Sequence, residues 1–324
     1  MRILVTGAGG FLGGVVARRL VDRGDEVVAL GRSERSLEGV RSARCETAIA
    51  DLTDRNAVAR LSAIGPIDAI VHCAGLSSNW GTRAAFAANN IAATENLVCV
   101  LPKLGRPHVV FISSSSVYFA FRDQFGVGEA QPLPRPVNDY GWSKREAEVR
   151  VRAQPNATII RPRGIYGAGD TALLPRLLRA ARRGPLPLFR GGKAVIDLTH
   201  VDDVAASVAA VLDARAVTVG KTYNVSGGEP LRVVEIIERA AERTGTTVRW
   251  RSLPWPLAKA GLSALEAGHR AFRPHVEPIA TTYSAGLLAF SQTLDISAIA
   301  RDTGWRPAIP FAEGLDRTFG GPSA

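Results

Sequence analysis

Apolar and polar positions along the first half of the chain alternate between two periods. Arg2–Thr6 is a short β-rich run, and Phe11–Arg23 sets Leu12, Val15, Val16 and Leu20 on one side at helical spacing. Strands follow at Glu26–Leu30 and, more weakly, Cys45–Ile49, then a helix at Asp54–Ile64 and a strong apolar strand at Ile67–His72. A long helix at Ala84–Leu101, a strand at His108–Ser113, a helix at Asp139–Arg152 and a sixth strand at Ala157–Arg161 complete the series. Strands alternating with helices require crossovers, and crossovers are right-handed. The expectation is an α/β chain with a doubly wound parallel sheet.

After about residue 165 the texture changes. Pro175, Pro185 and Pro187 punctuate short elements, with helical patterns at Leu173–Arg183, Val204–Leu212, Leu231–Thr244 and Leu253–Arg273 and a strand at Thr222–Val225. This divides the chain into residues 1–165, which bind a dinucleotide, and 166–324, a smaller, mostly helical substrate lobe. Segments near 190–225 and 293–310 return to the first part.

The chain has 324 residues, enough to bury a core without covalent staples. Cys45, Cys73 and Cys99 are odd in number and lack zinc spacing, which fits a reducing compartment. No signal-peptide pattern opens the chain and no run reaches the length of a spanning helix, so a cytoplasmic protein without stable membrane insertion is expected. The net charge is +10, but the arginines are dispersed and not interleaved with stacking aromatics, so nucleic acid is not the expected partner.

Gly7, Gly10 and Gly13 lie where the first strand turns into the first helix. Gly7 permits the tight turn, Gly10 lets a pyrophosphate approach the backbone, and Gly13 lets helix and strand pack closely. The unpaired N–H groups of the helix then face the phosphates. The second strand ends in Arg32 and Ser33 instead of the acid that would grip a ribose 2′-hydroxyl. NADP(H) is therefore favoured, with NAD(H) left open. Asp51 and Leu52 follow the third strand, where an adenine amino group can be read. His200, Asp202 and Asp203 suggest a metal, but a strand end plus the N-cap of Val204–Leu212 explains them better, so no metal is expected.

Tyr140 and Lys144 are spaced i, i+4 and share one helix face. A phenol serves as an acid or base near neutral pH when a nearby ammonium lowers its pKa. Ser113–Ser116 end the fifth strand, at the carboxyl edge where ligands sit in open sheets.

Taken together these motifs resemble the extended short-chain dehydrogenase/reductases, the NAD-dependent epimerase/dehydratase superfamily. The likeness runs through TGAGGFLG (6–13), HCAG (72–75), NNIAATENL (89–97), SSSSVY (113–118), YGWSK (140–144), RPRGIYGAGD (161–170), HVDDVA (200–205) and YNVSGG (223–228). It implies a Rossmann fold and a homodimer through the helices near Ala84–Leu101 and Asp139–Arg152. It implies Ser114, Tyr140 and Lys144 as the catalytic set, with Lys144 lowering the Tyr140 pKa and binding the nicotinamide ribose. Cofactor contacts fall to Phe11 and Leu12 beside the glycines, to Ala74 and Gly75, to Pro162, and to Asn90, an active-site support.

Departures from the pattern narrow the activity. Sugar-nucleotide dehydratases carry Thr-Asp-Glu where this chain has Ser114, Ser115 and Ser116. Epimerases usually place an Asn on the substrate diphosphate where this chain has Gly164. The sequence looks more like the 3β-hydroxysteroid dehydrogenase and 3-oxoacyl-type ketoreductase branch. That implies hydride transfer between nicotinamide and a secondary alcohol or ketone of a bulky apolar substrate. A sugar-nucleotide 4-epimerase with retained NAD is the alternative. Trp80, Phe119 and Phe121 are expected to face substrate. Trp250, Leu253, Trp255, Leu257, Leu262 and Leu265 form an apolar stretch suited to a pocket wall, with subdomain core, a dimer contact or a membrane-surface helix as other readings.

Overall fold

The computed structural model describes residues 1–320. Its centre is a seven-stranded sheet: β1 Arg2–Thr6, β2 Glu26–Gly31, β3 Cys45–Ile49, β4 Ala69–His72, β5 His108–Ile112, β6 Ala157–Pro162 and β7 Thr222–Val225. The spatial order is β7-β6-β5-β4-β1-β2-β3, every neighbouring pair parallel. Both faces are covered, so the central strands are apolar throughout and not alternating. On one face Val16, Ala17 and Leu20 of the helix Phe11–Asp22 meet Val204, Val208 and Val211 of the helix Val201–Asp213. On the other, Leu97, Val100, Ala147 and Val151 close over Leu4, Ile70, Val109 and Ile159.

The chain leaves β1 toward β2 and β3, then crosses back to β4, so the switch in strand order lies between β1 and β4. Crevices at such points hold ligands in open α/β sheets. A buried hydrogen-bond chain ties the two strands there. Thr6 Oγ1 lies 2.7 Å from His72 Nδ1 and accepts from the Ala74 amide at 3.2 Å.

The long helix expected at Ala84–Leu101 is interrupted. It runs as Arg83–Phe86, a π turn over Ala87–Ala92, then Ala93–Val100. The whole run Arg83–Leu104 is also long and apolar enough to cross a membrane, which the unbroken-run criterion did not detect. Phe86, Ile91, Leu97, Leu101 and Leu104 are nonetheless buried, which is core-helix behaviour. The helix expected from Val204 begins at Val201, with the His200 ring accepting from the Asp202 amide. Asp203 is buried and accepts from the amides of Ala308 and Ile309, pinning the C-terminal return segment.

Beside the large sheet lies a four-stranded one ordered Leu231–Arg232, Val195–Ile196, Gln292–Leu294, Gln124–Val127, so a strand from before residue 165 joins segments from after it, unlike the expected division. Strands of this length carry no readable period and were not expected from the sequence. The helical packing of the second lobe includes Leu174, Leu178, Ile236, Ile237, Phe311 and Leu315. A separate aromatic cluster joins Phe189, Trp255 and Phe290 with Phe121.

Candidate active site

Gly7 turns the chain at φ +68°, and a methyl on its α-carbon would stand 2.8 Å from the Ala74 backbone. A methyl on Gly13 would stand 2.1 Å from the Gly7 carbonyl oxygen. Both positions require glycine. The Gly10 amide closes the turn onto the Gly7 carbonyl at 2.9 Å, and Phe11 and Leu12 open the helix immediately after. The result is a bare backbone cradle at a helix N-terminus, which fits a pyrophosphate.

Arg32 and Ser33 are exposed where β2 ends, free to meet a ligand from solvent. Asp51 is nearby. Its carboxyl is held below the usual range by the Thr53 amide and hydroxyl, each at 2.8 Å, and further by the Arg32 charge. Leu52 is buried, and its carbonyl accepts from Asn96 Nδ2 at 2.9 Å.

Asn138 caps the helix Asp139–Arg152 by accepting from the Gly141 amide at 2.8 Å. A methyl on Gly141 would lie 3.1 Å from the Ser116 carbonyl, so the small residue lets this first turn press against the Ser115–Tyr118 turn. Tyr140 is thereby set beside Ser114. Burial raises the Tyr140 pKa above its ordinary value, while hydrogen bonds from Ser114 and Ser77 favour the phenolate and oppose it. Ser77 was not among the expected site residues, although it lies in the loop after β4, at the ligand edge of the sheet.

Lys144 is buried and donates to the Ile112 carbonyl at 2.6 Å, with Nζ 4.3 Å from the Phe111 ring centre. Burial lowers its pKa to about 8, against the opposing influence of Glu148 and Cys73. The expected depression of the Tyr140 pKa by Lys144 is not what the structure has. The ammonium is turned to the Ile112 carbonyl, and the groups that favour the phenolate are two serines.

Asn90 sits in the π turn, buried, with three hydrogen bonds to its side-chain amide. Its Oδ1 accepts from the Leu76 amide at 2.6 Å, and Nδ2 donates to the Leu76 carbonyl at 3.1 Å and to Ser143 Oγ at 2.8 Å. It therefore joins the loop after β4 to the Tyr140 helix, which is the active-site support expected of it. Gly75 lies between them, where a methyl would be 3.0 Å from Asn90 Oδ1 and 3.9 Å from Lys144 Nζ.

Beneath the Tyr140 helix, Glu148 accepts from Arg161 at 2.8 and 2.6 Å and from Ser113 Oγ at 2.6 Å. Arg161 also donates to the Tyr118 hydroxyl, which donates to Asn224 Oδ1 at 2.9 Å. Glu148 was missed in sequence, yet it continues the i, i+4 face of Tyr140 and Lys144. Pro162 ends β6 just above this network.

The aromatic expectations need correction. Phe119 is 1% exposed and wedged edge-on against Phe121 and Tyr283. Phe121 stacks among Trp255 and Phe290. Both follow a tight turn that directs them into the second lobe's core. Trp80 is buried under residues 270–274, its indole N–H donating to the Pro274 carbonyl at 3.0 Å. Tyr283, not anticipated, is the ring between this cluster and Tyr140, and its pKa is raised by burial, lowered by Arg163 and raised by Tyr140. Of the apolar stretch, only Trp255 and Leu262 pack into the cluster; Leu253, Leu257 and Leu265 are exposed, because Trp255, Ala258 and Leu262 take the inner helical face. Among the described residues no group of three or more His, Cys, Asp or Glu side chains is arranged to hold a metal.

Residues 3–226 match the NAD dependent epimerase/dehydratase family. The 2-alkyl-3-oxoalkanoate reductase of Stenotrophomonas maltophilia is 32% identical over 98% of both chains. A 4-hydroxy-2-methyl-3-oxo-4-farnesyl-3,4-dihydroquinoline-1-oxide ketoreductase of Stigmatella aurantiaca is 29% identical, covering 98% of this chain and 95% of that one. The UDP-glucuronic acid 4-epimerase of Bacillus cereus, solved with NAD, superposes with a TM-score of 0.76 at 22% identity, covering 99% of this chain and 98% of that one, a likeness of fold. The family match spans the glycine cradle, Ser114, Tyr140 and Lys144, and the chain belongs to the NAD-dependent epimerase/dehydratase family as an NAD-dependent enzyme, an oxidoreductase or an epimerase.

Proposed function

We propose that this enzyme reduces a ketone on a bulky, mainly apolar substrate of the 3-oxoacyl or 3-ketosteroid kind, with NADP(H) as the favoured cofactor. One observation carries the choice of reductase over epimerase. At Gly164 (φ +39°) a methyl would stand 2.5 Å from Cδ2 of Leu198, a buried core side chain, so this position has no room for the diphosphate-binding Asn of the epimerases. Without that polar contact a sugar nucleotide is disfavoured. The names of the two reductase relatives agree with this reading.

The Gly7–Gly13 cradle would hold the pyrophosphate, Arg32 and Ser33 the 2′-phosphate, Asp51 and Leu52 the adenine edge, and Ala74, Gly75 and Pro162 the floor near the nicotinamide. Lys144 would hold the adjoining ribose. The bound nicotinamide dinucleotide supplies the hydride to the carbonyl carbon. Tyr140, kept protonated by burial, gives its proton to the carbonyl oxygen as negative charge develops there. Ser114, whose Oγ caps the Ser115–Tyr118 turn, donates to the same oxygen. A cytoplasmic homodimer through the helical segment 83–100 and the helix Asp139–Arg152 completes the proposal. Exposed Val149 on the latter helix supports it.

The test is a titration of purified protein with NADPH and NADH followed by nicotinamide fluorescence, then a panel of 3-oxo acids and 3-ketosteroids. Tighter NADPH binding, weakened in Arg32→Ala, and turnover of a ketone are the expected results. NAD(H) that stays with the protein through purification and turnover of a sugar nucleotide would overturn the reading.

A further inference from the structure

The helix Trp255–Phe272 is turned the unusual way round. Its charged side chains point back to the protein. Lys259 lies 4.9 Å from the Phe121 ring centre, and Glu266 accepts from the Thr282 hydroxyl at 3.0 Å. His269 is 2.9 Å from the Val276 carbonyl, and Arg270 lies over Trp80 and reaches Asp139. The opposite side is apolar and uncovered. Leu257 is 68% exposed and Phe272 86%, with Leu265 and the small residues Ala260, Gly261, Ala264 and Ala271 exposed between them.

Val276 and Ile279 in the following loop are uncovered as well, the latter 86% exposed. Among the described residues, six of the eleven exposed large hydrophobic side chains fall within 253–279. Large contiguous apolar surface of this kind marks an interaction site.

Charge decides the partner. Arg249 and Arg251 precede the helix and Arg273 follows it directly in the chain, all three exposed and without an ion-pair partner among the described residues. The acids of the same segment are engaged: Glu277 pairs with Arg176 at 2.6 Å, and Glu266 holds Thr282. A second copy set against this face would bring arginine toward arginine. An anionic bilayer complements both the apolar stripe and the arginines that flank it in the chain, as for helices that lie in the plane of the headgroups. We propose that this face docks on an anionic membrane surface. The helix that carries this face reaches Asp139, next to Tyr140, through Arg270 on its inner side, and the chain just after it covers Trp80 through Pro274; on the reductase reading, an apolar substrate would pass from the bilayer to the cleft over a short path.

Vesicle flotation tests this with phosphatidylcholine alone and with an equal mixture of phosphatidylcholine and phosphatidylglycerol. The full chain is expected to float with the mixed vesicles, less at high salt, and little with the neutral ones. Leu257→Asp combined with Phe272→Asp should reduce the bound-to-free ratio about tenfold or more, and Arg251→Glu with Arg273→Glu should do likewise. Unchanged thermal unfolding and NADPH binding would establish that both variants are folded. No flotation of the wild type, or equal flotation of the apolar variant, would overturn the proposal. So would a wild-type dimer that the apolar variant converts to monomer without any vesicle binding, because the face would then belong to a second copy.

Discussion

Glu148 and Arg161 face each other across the interior, joined by two hydrogen bonds of 2.8 and 2.6 Å, each side chain about 2% exposed. The pair fixes the Tyr140 helix to β6. Removing one partner leaves the other charged and buried, which costs about 3–5 kcal/mol. Arg161→Met should lower the urea midpoint accordingly, and so should Glu148→Gln, which leaves the Arg161 charge unpaired and turns an amide donor toward groups that themselves donate. Equal stability of wild type and Arg161→Met would show that the pair is dispensable.

Tyr140→Phe keeps the ring and removes the proton. Ketone reduction should fall below detection while NADPH binding stays within a few-fold of wild type. Ser114→Ala should reduce kcat by about a hundredfold, the usual consequence of losing one donor to a developing oxyanion. Ser77→Ala should raise the Tyr140 pKa further, because the Ser77 hydroxyl favours the phenolate. Loss of cofactor binding in Tyr140→Phe would contradict these roles.

Lys144 titrates near pH 8 in the folded protein because its ammonium is buried. Below that pH it is charged, and above it the charge is lost. If its charge holds the cofactor, affinity for NADPH should decline as pH rises through about 8. Lys144→Arg, whose guanidinium does not titrate in this range, should bind with no such decline. Binding curves from pH 6.5 to 9.5 on both proteins decide it; a decline that survives in Lys144→Arg assigns the titration elsewhere.

His72 and His108 are buried and neutral, their pKa values lowered by burial to about 3 and about 4. Unfolded imidazoles accept protons near pH 6.5, so between that pH and pH 4 the unfolded chain binds the extra protons. Stability should therefore fall as pH drops below about 6.5, by about 2 kcal/mol per histidine at pH 5, with no contribution from them above pH 7. Urea unfolding at pH 7 and pH 5 measures this, and His108→Gln should flatten the slope. A slope unchanged in that variant would place the acid sensitivity on other groups.

The large sheet was legible because its strands are apolar on both faces and separated by helices long enough to show a period. Tyr140, Lys144 and the three glycines were legible because each chemistry fixes a residue type at a fixed spacing. Ser77 and Tyr283 were not, since their relation to Tyr140 is made by folding distant segments together. The second sheet escaped because strands of two to four residues contain no alternation to read. Phe119 and Phe121 show the limit in the other direction. Their position after β5 places them at the cleft edge, but side-chain direction there is set by the Ser115–Tyr118 turn, which sequence pattern does not encode.

The π turn at Ala87–Ala92 has a consequence for how this enzyme can change. Such a turn holds one residue more than an α-helix needs, so removing that residue would restore α-helical spacing and draw position 90 out of the bulge. Asn90 would then swing away from Leu76 and Ser143, while the helix itself became more regular. Local helix quality and a working cleft are opposed at this point. Selection for heat tolerance alone should favour shortened variants here that survive better and turn over less, and ancestry that kept the activity should have kept the surplus residue.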